Sequence, residues 1–197
     1  MTYDAKRTPG APGAPLILTL HGTGGTEDQF HGLAESLIPG AHVASPRGDV
    51  SEGGALRYFR RTGTGVYDLA DLARATAKLA TFIAEEAART GAARVIGLGY
   101  SNGANILAAM AMQDLGPLTD LILLHPLIPF APPPQPGLAG IRVLITAGRR
   151  DPICPAALTE ALADWFTAQG AALQLHWHDG GHEIAQTELD AIRAALG

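Results

Sequence analysis

Short runs of consecutive apolar residues alternate along this chain with longer stretches in which apolar residues recur at helical spacing. The runs at residues 16–20, 42–45, 94–98, 121–124, 143–146 and 173–177 are bounded by Gly, Pro or charge, as strands covered on both faces of a parallel sheet would be. Helical patterns fill residues 26–37, 68–89, 102–113, 155–169 and 183–196. The second opens on Asp68, a good N-cap residue, repeats Leu69, Leu72, Leu79, Phe82 and Ile83 on one face, and stops at Gly91. Strand–helix alternation over the whole chain predicts an α/β fold with a doubly wound, mostly parallel sheet of about six to seven strands and right-handed crossovers. Two stretches fit neither period, residues 46–66 and 125–140. The second, HPLIPFAPPPQPGLAG, is too rich in proline for regular structure, and long loops inside a compact domain tend to carry function.

The strongest chemical signal lies where the third apolar run meets a helix. Gly99-Tyr100-Ser101-Asn102-Gly103 is a G-x-S-x-G pentapeptide between a strand and a helix, the setting of a nucleophile elbow. A turn that tight holds its central residue at strained dihedrals, and side chains two residues to either side would collide, so glycines flank the serine. Gly97-Leu98-Gly99 also resembles the start of a dinucleotide fingerprint, but the third glycine should fall at 102, which is Asn.

A serine nucleophile needs a base, and the base needs an orienting carboxylate. Asp151 follows the run VLITAG and His182 follows LQLHWH, so three strand ends offer Ser101, Asp151 and His182 in the chain order expected after such an elbow. Ser101 is expected to attack, His182 to take its proton, and Asp151 to fix the imidazole tautomer. Asp179 is a competing acid, but it lies too close to His182 in sequence to fold back easily onto its ring. An oxyanion hole requires two backbone N–H donors. One is expected from Asn102, and the other from Thr23 in the loop His21-Gly22-Thr23-Gly24-Gly25. That loop could also cradle phosphate, but no Walker lysine follows it.

Composition narrows the alternatives. The 197 residues fit one domain, and 47% hydrophobic against 17% charged residues excludes disorder. The net charge of −5 argues against nucleic acid, one Cys excludes an internal disulfide, and no apolar stretch is long enough for a membrane. The polar, Pro/Gly-rich residues 1–14 read as a flexible segment before a single domain at 15–197, with no secretion signal, so a cytoplasmic protein is expected. No metal spacing and no cofactor motif appear, and a homodimer is the one assembly allowed for. Tyr58 and Phe59 in the first irregular stretch, and Leu127, Ile128 and Phe130 in the second, are expected to wall the pocket. Arg60 and Arg61 are expected to pair with acids such as Asp68 or Asp71; were either to face the pocket, it would attract an anionic substrate. Cys154 reads as a small apolar filler and His21 as a structural hydrogen-bonder.

The motifs HGTGG, GYSNGAN, DPIC and GGHE together resemble the phospholipase/carboxylesterase family of α/β-hydrolases, over nearly the whole chain from Leu16 onward. The segment SPRGDVSEGGALRYFRRTGTGVYDLADL, with GYSNGANI and HPLIPF, is similar to a bacterial subgroup of small carboxylesterases associated with hydroquinone and quinone stress. The resemblance implies an α/β-hydrolase sheet lacking the first strands of the full fold, a minimal or absent cap domain, and hydrolysis of small carboxylic esters through an acyl-enzyme. It carries the nucleophile to Ser101, the acid to Asp151, the base to His182 and the oxyanion donors to Thr23 and Asn102. Members of the wider family often read G-x-S-Q-G-G at the elbow, where this chain has Asn102 and Ala104. Two other functions fit the same residues: a ligand-binding or sensor protein on a hydrolase scaffold, and a carbon–carbon bond hydrolase of aromatic ring-fission products.

Overall fold

Each central strand divides its side chains between two cores, and that division fixes the layers of this α/β fold. The computed structural model describes residues 2–63, 65–113 and 116–197. Its strands are β1 (Ala5–Thr8), β2 (Leu16–Leu20), β3 (His42–Pro46), β4 (Val50–Glu52), β5 (Ala55–Arg57), β6 (Arg61–Gly63), β7 (Val66–Tyr67), β8 (Val95–Tyr100), β9 (Asp120–Leu124), β10 (Arg142–Gly148) and β11 (Ala172–His178). Its helices are α1 (His31–Leu37), α2 (Leu69–Thr90), α3 (Asn102–Ala111), α4 (Ala156–Ala168) and α5 (Gln186–Leu196). Leu16, Leu18 and Leu20 of β2 face one core, joined by Leu121 and Leu123 of β9 and Val143 and Ile145 of β10. Helices α2, α3 and α4 close this core with Leu79, Phe82, Ile106 and Phe166. Ile17, Ile96, Ile122 and Leu144 face the other core, which α1 and α5 cover with Ala34, Ile192 and Leu196.

Seven strands form one sheet in the order β1-β3-β2-β8-β9-β10-β11, every pair parallel except the antiparallel edge pair β1–β3. The chain leaves β2 toward one edge and returns through β8 toward the other. The carboxyl ends of β2 and β8, paired at Leu20 and Gly99, therefore flank the point where strand order reverses, which is where ligand crevices form in such sheets. The helix expected from Asp68 is capped as its sequence requires: the Asp68 carboxylate accepts from Asp71 N at 3.0 Å, and Gly91 ends the helix in the left-handed region at φ 65°.

Two regions differ from expectation. The N-terminal segment read as flexible contains edge strand β1, and Tyr3 is buried edge-on against Tyr58 and Phe82 (Met1 lies outside the described residues). Single-chain periodicity misses such a strand because its polar residues face solvent and its ladder partner is far away in sequence. The stretch 46–66, Thr64 aside, folds into two small hairpins, β4–β5 and β6–β7, whose strands are too short for a period to register.

At the amino-terminal end of the sheet, away from the crevice, Asp120 is buried between Arg94 and Arg142. Its oxygens accept from Arg142 Nε at 2.6 Å and Nη2 at 2.8 Å, from Arg94 Nη2 at 3.0 Å, and from Thr119 Oγ1 at 2.6 Å. Burial works against ionisation, but these donors outweigh it and hold the carboxyl down to about 2, against an ordinary 3.8. The stabilisation is present above pH 3.8 and is lost as pH falls toward 2. Asp120→Asn is expected to cost about 2 kcal/mol near pH 7 and to flatten the acid limb of stability. Urea unfolding of both proteins at pH 7 and pH 3 measures this; equal losses at both pH values would contradict it.

Candidate active site

Ser101 sits at the turn from β8 into α3 with φ 51° and ψ −113°, one of two described non-glycine residues with positive φ. A Cβ on Gly99 would lie 2.5 Å from the backbone of Gly103, and one on Gly103 would strike the Leu20 carbonyl, so neither position admits a side chain while the turn keeps this shape. Ser101 N donates to Leu124 O at 2.9 Å, tying the elbow to the next strand.

The loops after β10 and β11 bring the other two groups to the same edge. Ser101 Oγ lies 2.9 Å from His182 Nε2, and His182 Nδ1 lies 2.7 Å from Asp151 Oδ2. A carboxylate only accepts, so Nδ1 carries the proton and Nε2 is left to accept from the serine hydroxyl. Asp151 Oδ1 accepts from the amides of Ile153 at 2.8 Å and Cys154 at 3.0 Å. Burial alone would raise the Asp151 carboxyl, but these amides with His182 and His125 hold it below its ordinary value. Asp179, the rival acid, points outward and faces Arg149 at 3.8 Å. The arrangement can take a proton from a serine hydroxyl while the imidazolium that forms is stabilised.

Ser101 and His182 open on a cavity of about 300 Å³, lined also by Thr23, Asn102, Arg57, Arg61, Tyr67, Leu127, Ile153 and Cys154. The amides of Thr23 and Asn102 have no acceptor among the described residues and stand beside the serine in the same cavity wall. The Asn102 side chain faces away, its Oδ1 accepting from Tyr58 N at 2.8 Å. His21 is structural: its Nδ1 meets Gly22 O at 2.7 Å and its Nε2 accepts from Gly48 N at 2.9 Å, which holds the 21–25 loop against the 46–66 stretch.

Behind Asp151 lies a second, fully buried layer. His125 Nδ1 is 2.9 Å from Asp151 Oδ2, and its Nε2 faces Glu188 Oε1 at 3.1 Å as an ion pair. Glu188 also accepts from Thr146 Oγ1 at 2.5 Å and Ala185 N at 2.6 Å, and it faces His178 Nε2 at 3.3 Å. Burial would strip His125 of its charge, yet Glu188 and Asp151 outweigh it and hold the imidazole above its ordinary value of 6.5. Two groups of side chains here, His125 with Asp151 and His182, and His125 with His178 and Glu188, are close enough to share a cation. Both use His125, however, and one proton on each of its nitrogens already satisfies both carboxylates.

Several expected pocket residues lie elsewhere. Tyr58 and Phe59 are fully buried core residues: Tyr58 Oη donates to Pro46 O at 2.8 Å, and Phe59 packs edge-on against Tyr67 at 4.8 Å. Ile128 and Phe130 line a separate apolar cleft against Leu158, Leu162 and Trp165 of α4, while Leu127 does reach the cavity. Proline-rich backbone turns back toward α4 after Leu127, a change of direction invisible to periodicity. Arg60 pairs as expected, 3.2 Å from Asp71 and 3.6 Å from Asp68, but Arg61 pairs with Glu52 at 3.0 Å and lines the cavity. Sequence reasoning missed Arg57, Tyr67 and Ile153. Only the hairpin fold of 46–66 turns Arg57 and Tyr67 toward Ser101, and no local pattern signals it.

The chain matches no protein-family model. It is 40% identical over 181 residues to MhqD of Bacillus subtilis (strain 168), which is named a hydrolase, with 90% of each chain covered. Among solved structures it is similar to Atu2452 of Agrobacterium tumefaciens, a protein of unknown function, with a TM-score of 0.93 and 52% identity over 99% of this chain and 97% of that one. It is likewise similar to a carboxylesterase of Bacillus cereus, with a TM-score of 0.89 and 34% identity over 98% and 93% of the two chains. No described helix is long and apolar enough to cross a membrane.

The His125 layer adds stability that is complete between pH 4.5 and 6.5, since His125 is held above 6.5 and Asp151 and Glu188 below 3.8 and 4.5. It is lost as pH rises through the raised histidine value, and again as pH falls through the lowered carboxyl values. His125→Asn, chosen because Asn tolerates the φ of 49°, leaves two buried carboxylates without their cation and is expected to cost about 3–5 kcal/mol. Thermal melts at pH 5, 7 and 9 are expected to show the wild-type decline at high pH vanish in the variant. Phe59→Ala is expected to cost about 3–5 kcal/mol of stability, as a core truncation does; an unchanged urea midpoint would refute that placement.

Proposed function

The chain belongs to the carboxylesterase family of α/β-hydrolases that includes MhqD, and on that premise we propose that it is a serine carboxylesterase working through an acyl-enzyme on small esters. The observation that carries this reading is the unbroken contact from Ser101 Oγ through His182 to Asp151, opening beside two free backbone amides. Ser101 Oγ attacks the ester carbonyl carbon as its proton passes to His182 Nε2. The carbonyl oxygen becomes an oxyanion facing the Thr23 and Asn102 N–H groups, whose fixed position costs no reorganisation when the charge develops. As the tetrahedral intermediate collapses, the carbon–oxygen bond to the alcohol breaks and His182 returns the proton to that oxygen. A water, deprotonated in turn by His182, then releases the acid from Ser101. Asp151 stays ionised throughout and keeps the imidazole tautomer fixed. A cavity of about 300 Å³ suits short acyl and alcohol groups rather than long lipid chains.

Ser101→Ala is expected to lower kcat for p-nitrophenyl acetate by a factor of about 10⁴ to 10⁶ while leaving the melting transition in place. The wild type is expected to take up one fluorophosphonate per chain at Ser101. Folded protein that neither turns over the ester nor labels would favour a binding protein, and labelling without turnover of any simple ester would favour carbon–carbon bond cleavage.

A further inference from the structure

The cavity wall beside Ser101 carries two guanidinium groups, Arg57 and Arg61, and, among the described residues, no carboxylate. Arg57 is only 4% exposed, and a buried cation requires an opposite charge close by. What the protein supplies is one shared acid, Glu52. Both Glu52 oxygens accept from Arg61 Nε, at 3.0 and 3.1 Å, and Glu52 meets Arg57 Nε only at 3.4 Å. The Glu52 side chain is 44% exposed, so water weakens what it gives to either partner. The other Arg57 bonds go to neutral oxygens, Thr23 Oγ1 at 2.7 Å and Phe59 O at 3.3 Å. Arg57 Nη2 and both outer nitrogens of Arg61 have no hydrogen-bond acceptor among the described residues. Two cations therefore share one loosely held anion at the wall of a site that also presents Tyr67, Leu127 and Ile153.

We propose that the preferred substrate is a short ester bearing a free carboxylate, such as the monoester of a short dicarboxylic acid, with that carboxylate held by Arg57 and Arg61. This rests on the esterase reading above and names its substrate class. Nη2 of Arg57 and the outer nitrogens of Arg61 would donate to the carboxylate, supplying the anion that Glu52 only half provides. The bond from Arg57 to the Thr23 hydroxyl ties the same guanidinium to the loop whose amide faces the reacting carbonyl, so carboxylate recognition and carbonyl placement share one rigid element. Burial and repulsion from Arg61 lower the proton affinity of Arg57, as expected of a cation short of counter-charge, though a guanidinium stays charged at any working pH.

The test is the ratio of kcat/KM for monoethyl succinate to that for ethyl levulinate, an uncharged ketone of nearly the same shape that releases the same alcohol. Because the ratio is internal to each preparation, partial unfolding lowers both numbers and leaves it intact. At low ionic strength the wild-type ratio is expected to favour the carboxylate by about ten- to a hundredfold, the scale of a charge-assisted hydrogen bond. It is expected to shrink with added salt. Arg61→Gln is expected to lower the ratio roughly tenfold, whereas Glu52→Gln, which removes the competing acid, is expected to raise it. A wild-type ratio near one with ethyl levulinate hydrolysed would overturn this inference and leave the esterase reading standing. A wild-type preference that neither substitution moves would also overturn it, since the selectivity would then arise elsewhere. If neither ester is hydrolysed while p-nitrophenyl acetate is, this inference falls and the esterase reading stands.

Discussion

The backbone approach between Gly99, Gly103 and the end of β2 is the constraint from which the rest of the site follows. Gly103 lies so close to the Leu20 carbonyl that a methyl group could not be inserted, and Gly99 abuts Gly103 in the same way. This lets α3 start directly under the sheet edge and drives Ser101 to positive φ. A non-glycine residue there costs on the order of 1–3 kcal/mol, which the bonds from Ser101 N to Leu124 O and from Asn105 N to Ser101 O help to offset. The strain raises the hydroxyl clear of the turn, at the end of the strand where the sheet order reverses. The loop at 21–25 comes from the neighbouring strand at that same reversal. The two are adjacent because β2 and β8 pair in register, with Leu20 opposite Gly99.

A second organising feature is that Asp151 has ordered partners on both of its oxygens. Two amides hold Oδ1 and two histidines hold Oδ2. A carboxylate so anchored cannot rotate, and neither can the His182 ring on it, so the distance to Ser101 is set before any ligand arrives. His125 takes part only because its backbone is itself bent to φ 49° just after β9. The two positive-φ residues thus occupy corresponding places at the ends of adjacent strands, one presenting the hydroxyl and the other bracing the acid.

No domain covers this edge among the described residues, so the walls of the crevice come from the hairpins between β3 and α2 and from the start of the proline-rich loop. Tyr58, Phe59 and Tyr67 seal those hairpins to the body of the protein. Tyr58 stacks near His21 at 4.7 Å and accepts from its amide, so the ring anchors the wall without lining it. The cavity face is left to Tyr67, Arg57 and Arg61.

The sequence by itself determined whatever depends on short-range pattern. Apolar runs such as LILTL and LILL read as strands covered on both faces, Asp68 and Gly91 bounded the long helix, and G-x-S-x-G between strand and helix located the elbow. Ser101, Asp151 and His182 were legible because a parallel sheet delivers every strand's carboxyl end to one edge, so chain order and strand ends suffice to bring them together. Tertiary structure alone decided which aromatic faced inward, which arginine met the crevice, and that His125 and Glu188 would join Asp151. These contacts link residues far apart in sequence through loops without a period. Their outcome depends on which side chain fills the remaining space and which charge finds a partner, and those are properties of the packed molecule rather than of any segment.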